Sequence, residues 1–471
     1  MQLTQTEVKS PPAGRKLQNR PFYHLRLAWQ ELLEEFRLEQ PYSAFLLLLG
    51  LEVLLIFTGA AFLYSNSNHY MLQRHFVWLG LGFALSAIIY LLPIRTLVQS
   101  IPVLACLALL LNILPQIPGL QWANDGSPRW IRLGGYSFQV SETLRLMLVL
   151  YFARRIAIRT SVQAAPTEGQ QEEPYSKILW RPCIYLLLSC ALVILQKDYS
   201  TTIMLLVTAA AMTVLVKSFS TLFIIIVLLV LMTIIAMLFL GQTFRINRVR
   251  EWLESSGEQI NWVYDAFREG SGYGVGLGQG RTKYLVPAEM TDFPLAAVGE
   301  EAGLLGIGLV LLLFLAFSIV GFHLARKSRV PFVCYATAGL TGLVFIQASV
   351  NFAVSCGLLP VTGQPLPFFS VGGSSTLIHM LILGLINSLN RPSRSEHIGV
   401  AWRGNVAAQS RMARVAPQQR VSKRTPESGS TQAGGGPRKR SASQNVYSKD
   451  FSHSGKQNHH SHGRTHNGSF Q

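Results

Sequence analysis

Apolar runs of membrane-spanning length recur along the first 390 residues, broken at intervals by charge, Gly/Pro or polar clusters. The clearest is 219–243, FSTLFIIIVLLVLMTIIAMLFLGQT, which contains no charge. About 20 apolar residues suffice to cross a bilayer, and only a closed helix or barrel satisfies its own backbone there. The pattern predicts an all-α integral membrane protein with ten spans, at 42–64, 76–93, 100–118, 140–157, 179–196, 200–216, 219–240, 295–323, 331–357 and 370–390. Three segments follow: a polar N-terminal stretch 1–40, a polytopic membrane domain 41–392, and a tail 393–471 rich in Ser, Gly, Gln, Arg and His. The tail has too few large apolar residues to bury a core, so disorder is expected. Residues 1–40 lack a short apolar core with a small-residue cleavage site, so no cleavable signal peptide is expected.

Composition sharpens this picture. Only 14% of residues are charged, well below a soluble domain's share, which excludes a soluble enzyme. The formal charge is +17, yet from Arg391 onward 14 Lys/Arg face 3 Asp/Glu, so +11 belongs to the tail and +6 to the rest. A polybasic segment beside a membrane suits anionic lipid headgroups better than nucleic acid, and no nucleic-acid partner is expected. Connections holding Arg95, Arg154, Arg155, Arg159, Lys177, Lys217, Arg326, Lys327 and Arg329 share one side with both termini. The positive-inside rule puts that side in the cytoplasm, which implies a multi-pass protein of the cytoplasmic (inner) membrane. The outer side then receives 65–75, 119–139, 241–294 and 358–369, and the third of these is too long to be a mere link. Five cysteines fall in or beside apolar runs without metal-ligand spacing and read as small core residues. No internal repeat is evident, which disfavours an inverted-repeat transporter.

Charges inside spans are expensive and are functional suspects by default. Glu142 and Arg145 lie three residues apart on one helical face, either as a self-neutralising pair or as a polar patch lining a cavity. Glu52 has no partner nearby in sequence and reads as structural or as facing another helix. Asp198 precedes Tyr-Ser-Thr, the setting of a helix N-cap. Asp292 comes two residues before Pro294, so capping competes with catalysis there too. Glu300 and Glu301 lie about two turns into the same helix and require a partner or a proton. The glycines of GSGYGVGLGQG (270–280) open no Rossmann helix; they are expected to let backbone pass close to backbone or to a ligand. The turn CGLLPVTGQPLPFFSVGGSS (356–375) is irregular backbone, tolerated at membrane depth only where buried or lining a cavity.

Four segments, WANDGSPRWIRLGGYSFQVSE (122–142), QKDYSTT (196–202), GYGVGLGQGRTKYLVPAEMTDFPLAAVGEEAGLLG (272–306) and NFAVSCGLLPVTGQPLPFFSVGGSS (351–375), together resemble the FtsW/RodA/SpoVE (shape, elongation, division and sporulation) family. The resemblance covers about 42–392. It implies ten membrane helices and a peptidoglycan glycosyltransferase that polymerises lipid II into glycan strands on the outer face of the membrane. A class B penicillin-binding protein would be the transpeptidase partner. By motif, the family's catalytic Asp falls on Asp292, its Glu-x-x-Lys pair on Glu142 and Arg145, its arginine of the RRW type on Arg129 and its Gln-Pro-Asp carboxylate on Asp198. Lys283 and Glu300 complete the candidate substrate contacts. Departures are Val286, Pro287, Ala288, Glu289 and Met290 before Thr291, where a His and a Glu are usual, together with Val140, Lys197 and Ser200.

The chemistry implied is attack of a sugar hydroxyl on an anomeric carbon with departure of lipid pyrophosphate. Asp292 would accept the proton, and Arg129, Arg145, Lys283 or a divalent cation such as Mg²⁺ would offset the leaving group's charge. The competing expectations are a lipid II flippase or transporter, with Asp292 merely a cap, and a non-catalytic scaffold of the wall-synthesis complex.

Overall fold

The computed structural model describes residues 41–66, 69–117, 121–124, 127–133, 136–163, 176–215, parts of 225–233, 249–254, 258–281 and 292–391. The N-terminal segment 1–40, most of the seventh predicted span and the tail 393–471 lie outside the described residues. The chain divides into two units, Met1–Ala413 and Arg414–Gln471, and the described residues all belong to the first.

Ten helices are described: α1 Pro41–Asn66, α2 His69–Leu91, α3 Ile94–Leu111, α4 Ser141–Gln163, α5 Ser176–Leu195, α6 Tyr199–Val214, α7 Glu258–Gly270, α8 Pro294–Lys327, α9 Pro331–Ser355 and α10 Gly373–Asn390. All but the short α7 occupy predicted spans. Five of the described helices, α1, α2, α3 with the turn after it, α8 and α9, are long and apolar enough to cross a membrane. The protein is a multi-pass, predominantly helical membrane protein. Among the described residues all five cysteines are free, but Cys106 and Cys356 are exposed, so they are not core residues as expected.

The connection 119–139, expected to be a plain loop, is a three-stranded antiparallel sheet: β1 Gln121–Asn124, β2 Ser127–Leu133 and β3 Tyr136–Gln139, in the order β1-β2-β3. Trp122 pairs with Trp130, and Trp130 in turn with Gln139. The signal was present as Asp125-Gly126 and Gly134-Gly135, two-residue hairpin links between runs rich in aromatic and branched residues. The sheet docks on α2 through Trp78, which meets the Tyr136 ring edge-on at 5.8 Å, and through Arg74, stacked over Tyr136 at 5.5 Å.

Helices that cannot gain by hiding from water must gain by close packing, and small residues allow it. α2 and α10 meet through Gly82 against Met380, Gly384 against Ser86 and Gly373 against Trp78, and Ser86 Oγ donates to Met380 O at 2.5 Å. Glu52, the unpaired charge of α1, accepts from Asn387 Nδ2 of α10 at 2.6 Å, which realises the helix-facing reading. At the centre runs α4, where Leu144, Leu148 and Phe152 are fully buried and neighbours come from α3, α5, α6 and α9.

The glycine-rich segment after α7 repairs a break in α8. Gly303 has φ 63° and ψ −162°, which interrupts the helical ladder. The freed carbonyls of Glu300 and Glu301 accept from Val275 N (2.9 Å) and Gly276 N (3.0 Å), while Leu304 N and Leu305 N donate to Ser271 O (3.0 Å) and Gly272 O (3.2 Å). Both carboxylates reach back: Glu300 Oε1 accepts from Arg281 N (2.5 Å), Glu301 Oε1 from Gly278 N (2.9 Å), and Glu301 Oε2 from Ser65 Oγ of α1 (2.6 Å). The expectation that these glycines bring backbone against backbone is met, and Glu300 and Glu301 have the partners they require. A Cβ on Gly270, Gly274 or Gly303 would overlap the backbone across the crossing.

Gly274→Ala therefore combines φ +82° with overlap onto Glu301, and should cost at least the ~1–3 kcal/mol of an overpacked core site. Gly308→Ala meets nothing within 4 Å and should melt like the parent protein in detergent. Equal melting temperatures for the two variants would contradict the crossing.

Candidate active site

Four of the sequence-predicted residues, Glu142, Arg145, Asp198 and Arg129, converge where the sheet meets α4 and α6. Glu142 opens α4 and pairs with Arg145 one turn on; both side chains are buried, with residue exposures of 2% and 1%. The pair is not self-contained: Arg145 Nη1 donates to Gln347 Oε1 of α9 and to Gln364 Oε1 of the α9–α10 connection, each at 3.1 Å. Gln347 Nε2 in turn donates to Pro365 O at 2.9 Å, so one guanidinium pins two elements.

Asp198 is both cap and ion-pair partner. Its Oδ1 accepts from Thr201 N at 3.1 Å, the capping bond expected, while Oδ2 accepts from Thr201 Oγ1 (2.9 Å) and from Gln139 Nε2 at the end of β3 (3.1 Å). Arg129 on β2 approaches Asp198 Oδ1 at 3.7 Å, with 29% of its side chain exposed against 2% for Asp198. Asp198 also acts electrostatically on Glu142, which joins the two groups. Lys197, just before the cap, has φ 57°. Proline cannot take that angle.

Asp292 stands at the entrance to α8. The N-cap position is Phe293, whose side chain makes no capping bond, so simple capping from that position does not account for this junction. Phe293 is fully buried among Ile260, Val263 and Ala266 of α7, with Ala296 and Val354, and fixes the backbone on which the half-buried Asp292 rides. Asn351 Nδ2 of α9 donates to Asp292 O (3.0 Å) and to Gln364 O (2.9 Å). A continuous polar path thus runs from Asp292 through Asn351 and Gln364 to Arg145 and Glu142. Gly363, at φ 64°, faces Asp292: a Cβ there would lie 3.7 Å from Oδ2. Glycine thus keeps the carboxylate side of the turn open.

Glu300 belongs to the glycine crossing, where it is buried and engaged by the Arg281 amide; its role in the described geometry is to hold that segment. Lys283 lies outside the described residues, as do Ala288, Glu289 and Met290. Sequence reasoning missed Gln347, Asn351 and Gln364. Gln347 and Asn351 sit at i and i+4 in an apolar span, a pattern that marks a polar helix face and could have found them. It also missed His379 of α10, whose buried Nδ1 donates to Ser375 O at 2.7 Å and whose ring is close enough to Arg145 to feel its charge.

Among the described residues no group of three or more His, Cys, Asp or Glu comes together to hold a metal ion. Mg²⁺ usually takes only one or two carboxylates and completes its shell with water and substrate phosphates. Asp292 and Asp198 are the carboxylates here that would hold such a cation.

Removing one member of a buried ion pair leaves the other uncompensated and typically costs ~3–5 kcal/mol, whereas neutralising both avoids most of that. Glu142→Ala and Arg145→Ala should each lower the melting temperature more than the double variant Glu142→Gln/Arg145→Met. Single variants that melt like the parent would show that the pair carries no buried charge.

The FtsW/RodA/SpoVE family of cell cycle proteins matches residues 40–395. A Geobacter sulfurreducens relative named "Probable peptidoglycan glycosyltransferase FtsW" is 31% identical over 350 residues, 72% of this chain and 91% of that protein. A Marinobacter nauticus protein of the same name is 33% identical over 337 residues, 69% of this chain and 82% of its own length. Among solved structures, a chain from work on polymerization and crosslinking by a peptidoglycan synthase complex matches with a TM-score of 0.61 at 24% identity, over 73% of this chain and 96% of that one. At that identity the likeness concerns the fold.

Proposed function

The chain belongs to the FtsW/RodA/SpoVE family of cell cycle proteins, and from that premise we propose that it is a peptidoglycan glycosyltransferase that polymerises lipid II, with Asp292 as general base. The observation that carries the assignment is the path from Asp292 through Asn351 and Gln364 to the Arg145–Glu142 pair. A carboxylate whose backbone is locked while its side chain stays half-exposed is suited to meeting a substrate hydroxyl.

In the reaction, the acceptor hydroxyl oxygen bonds to the anomeric carbon of the donor, the bond from that carbon to the lipid pyrophosphate oxygen breaks, and the hydroxyl proton passes to Asp292. A positioned base of this kind is worth roughly 10²- to 10⁴-fold. The departing pyrophosphate needs cations. Arg129 is the best placed, since its guanidinium is partly exposed while Asp198 orients it. Arg145 is buried behind Gln347 and Gln364 and acts instead by holding the connection that faces Asp292. A transport reading would need Glu142 and Arg145 to line an open path, and both are closed in by their partners.

Orientation follows from the charge bias: the sheet, α7 and Asp292 face outward, and both termini lie in the cytoplasm of a bacterium's inner membrane. A class B penicillin-binding protein would crosslink the strands made here. Tyr273, 87% exposed, suits a labelling test of this orientation. In a background without the native cysteines, Tyr273→Cys should react with an impermeant maleimide from outside, and Ser441→Cys should not; the reverse would invert the site.

Asp292→Asn preserves size and hydrogen-bonding shape but removes the proton acceptor. Purified variant should bind lipid II normally and make glycan at least ~10²-fold more slowly. Polymerisation at the parent rate would refute the catalytic assignment.

A further inference from the structure

The end of the helical unit opposite the sheet carries guanidinium groups in excess of any counter-charge described. Arg154 and Arg155 lie near the far end of α4, and Arg181 lies near the facing start of α5. Arg154 Nε donates to Val98 O of α3 at 3.1 Å, which holds that side chain between helices. Arg155 Nε is buried and makes no hydrogen bond, and both Arg154 and Arg181 are close enough to act on Arg155 electrostatically. Arg155, half-buried and within electrostatic reach of two further cations, calls for an anion. Among the described residues no Asp or Glu stands at this end: Glu142, Asp198, Asp292, Glu300 and Glu301 are at the sheet end, and Glu52 is held by Asn387 in mid-helix.

Depth and surroundings indicate the source of that anion. Arg155 is eight residues before Gln163, about 12 Å along the axis, and Arg181 is five residues into α5, about 8 Å. Headgroups occupy roughly the outer 5–8 Å on each side of a bilayer, and an arginine stem lets the charge rise to that level. Arg181 is exposed, beside the half-exposed Trp180, and Ile184, Leu187 and Leu188 continue the exposed apolar strip toward the membrane centre. A phosphate at Arg155 and Arg181 with an acyl chain along Ile184 and Leu188 fits this strip. We propose that Arg154, Arg155 and Arg181 form a headgroup site for an anionic phospholipid, bound from the bilayer between the ends of α4 and α5. The lipid phosphate supplies the missing counter-charge and ties the central helix α4 to α5.

The test uses the full chain in phosphatidylcholine nanodiscs with and without phosphatidylglycerol, so it does not depend on which face is cytoplasmic. The basic tail contributes equally to parent and variants, so the comparison between them isolates the site. The parent protein should melt several degrees higher with phosphatidylglycerol, and Arg155→Gln/Arg181→Gln should lose most of that gain. Should the double variant fail to fold, the exposed Arg181→Gln alone should reduce the gain. An equal gain in parent and variant would overturn the proposal. So would the same rise from inorganic phosphate added to phosphatidylcholine discs, since a free anion would then suffice. The stretch between α4 and α5 carries Glu168, Glu172 and Glu173. Their joint replacement by Gln should leave both the melting temperature without phosphatidylglycerol and the gain with it unchanged; a lower melting temperature without the lipid and a larger gain with it would make those carboxylates the counter-ions and overturn the proposal.

Discussion

Within a bilayer no water is available for a peptide group that loses its helical partner, and the break at Gly303 frees several at once. The glycine-rich segment after α7 exists, in physical terms, to supply those partners. It can do so only by approaching α8 at backbone distance, which is why the positions at the crossing are glycines. Because the same crossing is braced by Glu300, Glu301 and Ser65, the first turns of α8, α7 and the end of α1 form one body. Asp292 sits at the tip of that body, and Phe293 anchors it underneath.

A second hub works by the same rule. Arg145 is surrounded by acceptors from three elements: Glu142 on its own helix, Gln347 on α9 and Gln364 in the connection before α10. A buried charge is costly unless it is paired and hydrogen-bonded, and the two Nη groups of this arginine hold those elements together. The turn that passes Asp292 is therefore positioned from the centre of the membrane domain. Helix packing and the placement of Asp292 are in this sense one problem, since the connection that Arg145 holds through Gln364 also carries Gly363, which faces the Asp292 carboxylate. Asp198 repeats the device at the sheet, where one carboxylate caps α6, accepts from Gln139 and orients Arg129.

Opposite the sheet the design differs. Cations there are left without described carboxylates, and the bilayer itself offers the compensating phosphate. The two ends of the bundle thus separate by chemistry: one builds internal polar networks beside Asp292, the other presents positive charge to its lipid surroundings.

Much of this was written in the chain. The nine spans seen as helices are legible from apolar runs because hydrocarbon imposes a length and forbids charge, and the isolated polar residues within them announce themselves by cost. Asp292, Glu142, Arg145, Asp198 and Arg129 could be singled out one at a time, and the glycines could be assigned to close backbone contact. The small sheet was encoded in its two glycine-containing links, yet a helical expectation for the whole molecule hid it. What residue order alone could not supply is partnership across long separations. That Glu301 answers Ser65 from 236 positions away, that Arg145 reaches Gln347 and Gln364, and that Asn351 joins Asp292 to this group are decided by how helices pack. A span declares by its composition that it must be buried in lipid, but a buried polar atom is satisfied by whichever neighbour the tertiary fold brings within hydrogen-bond reach.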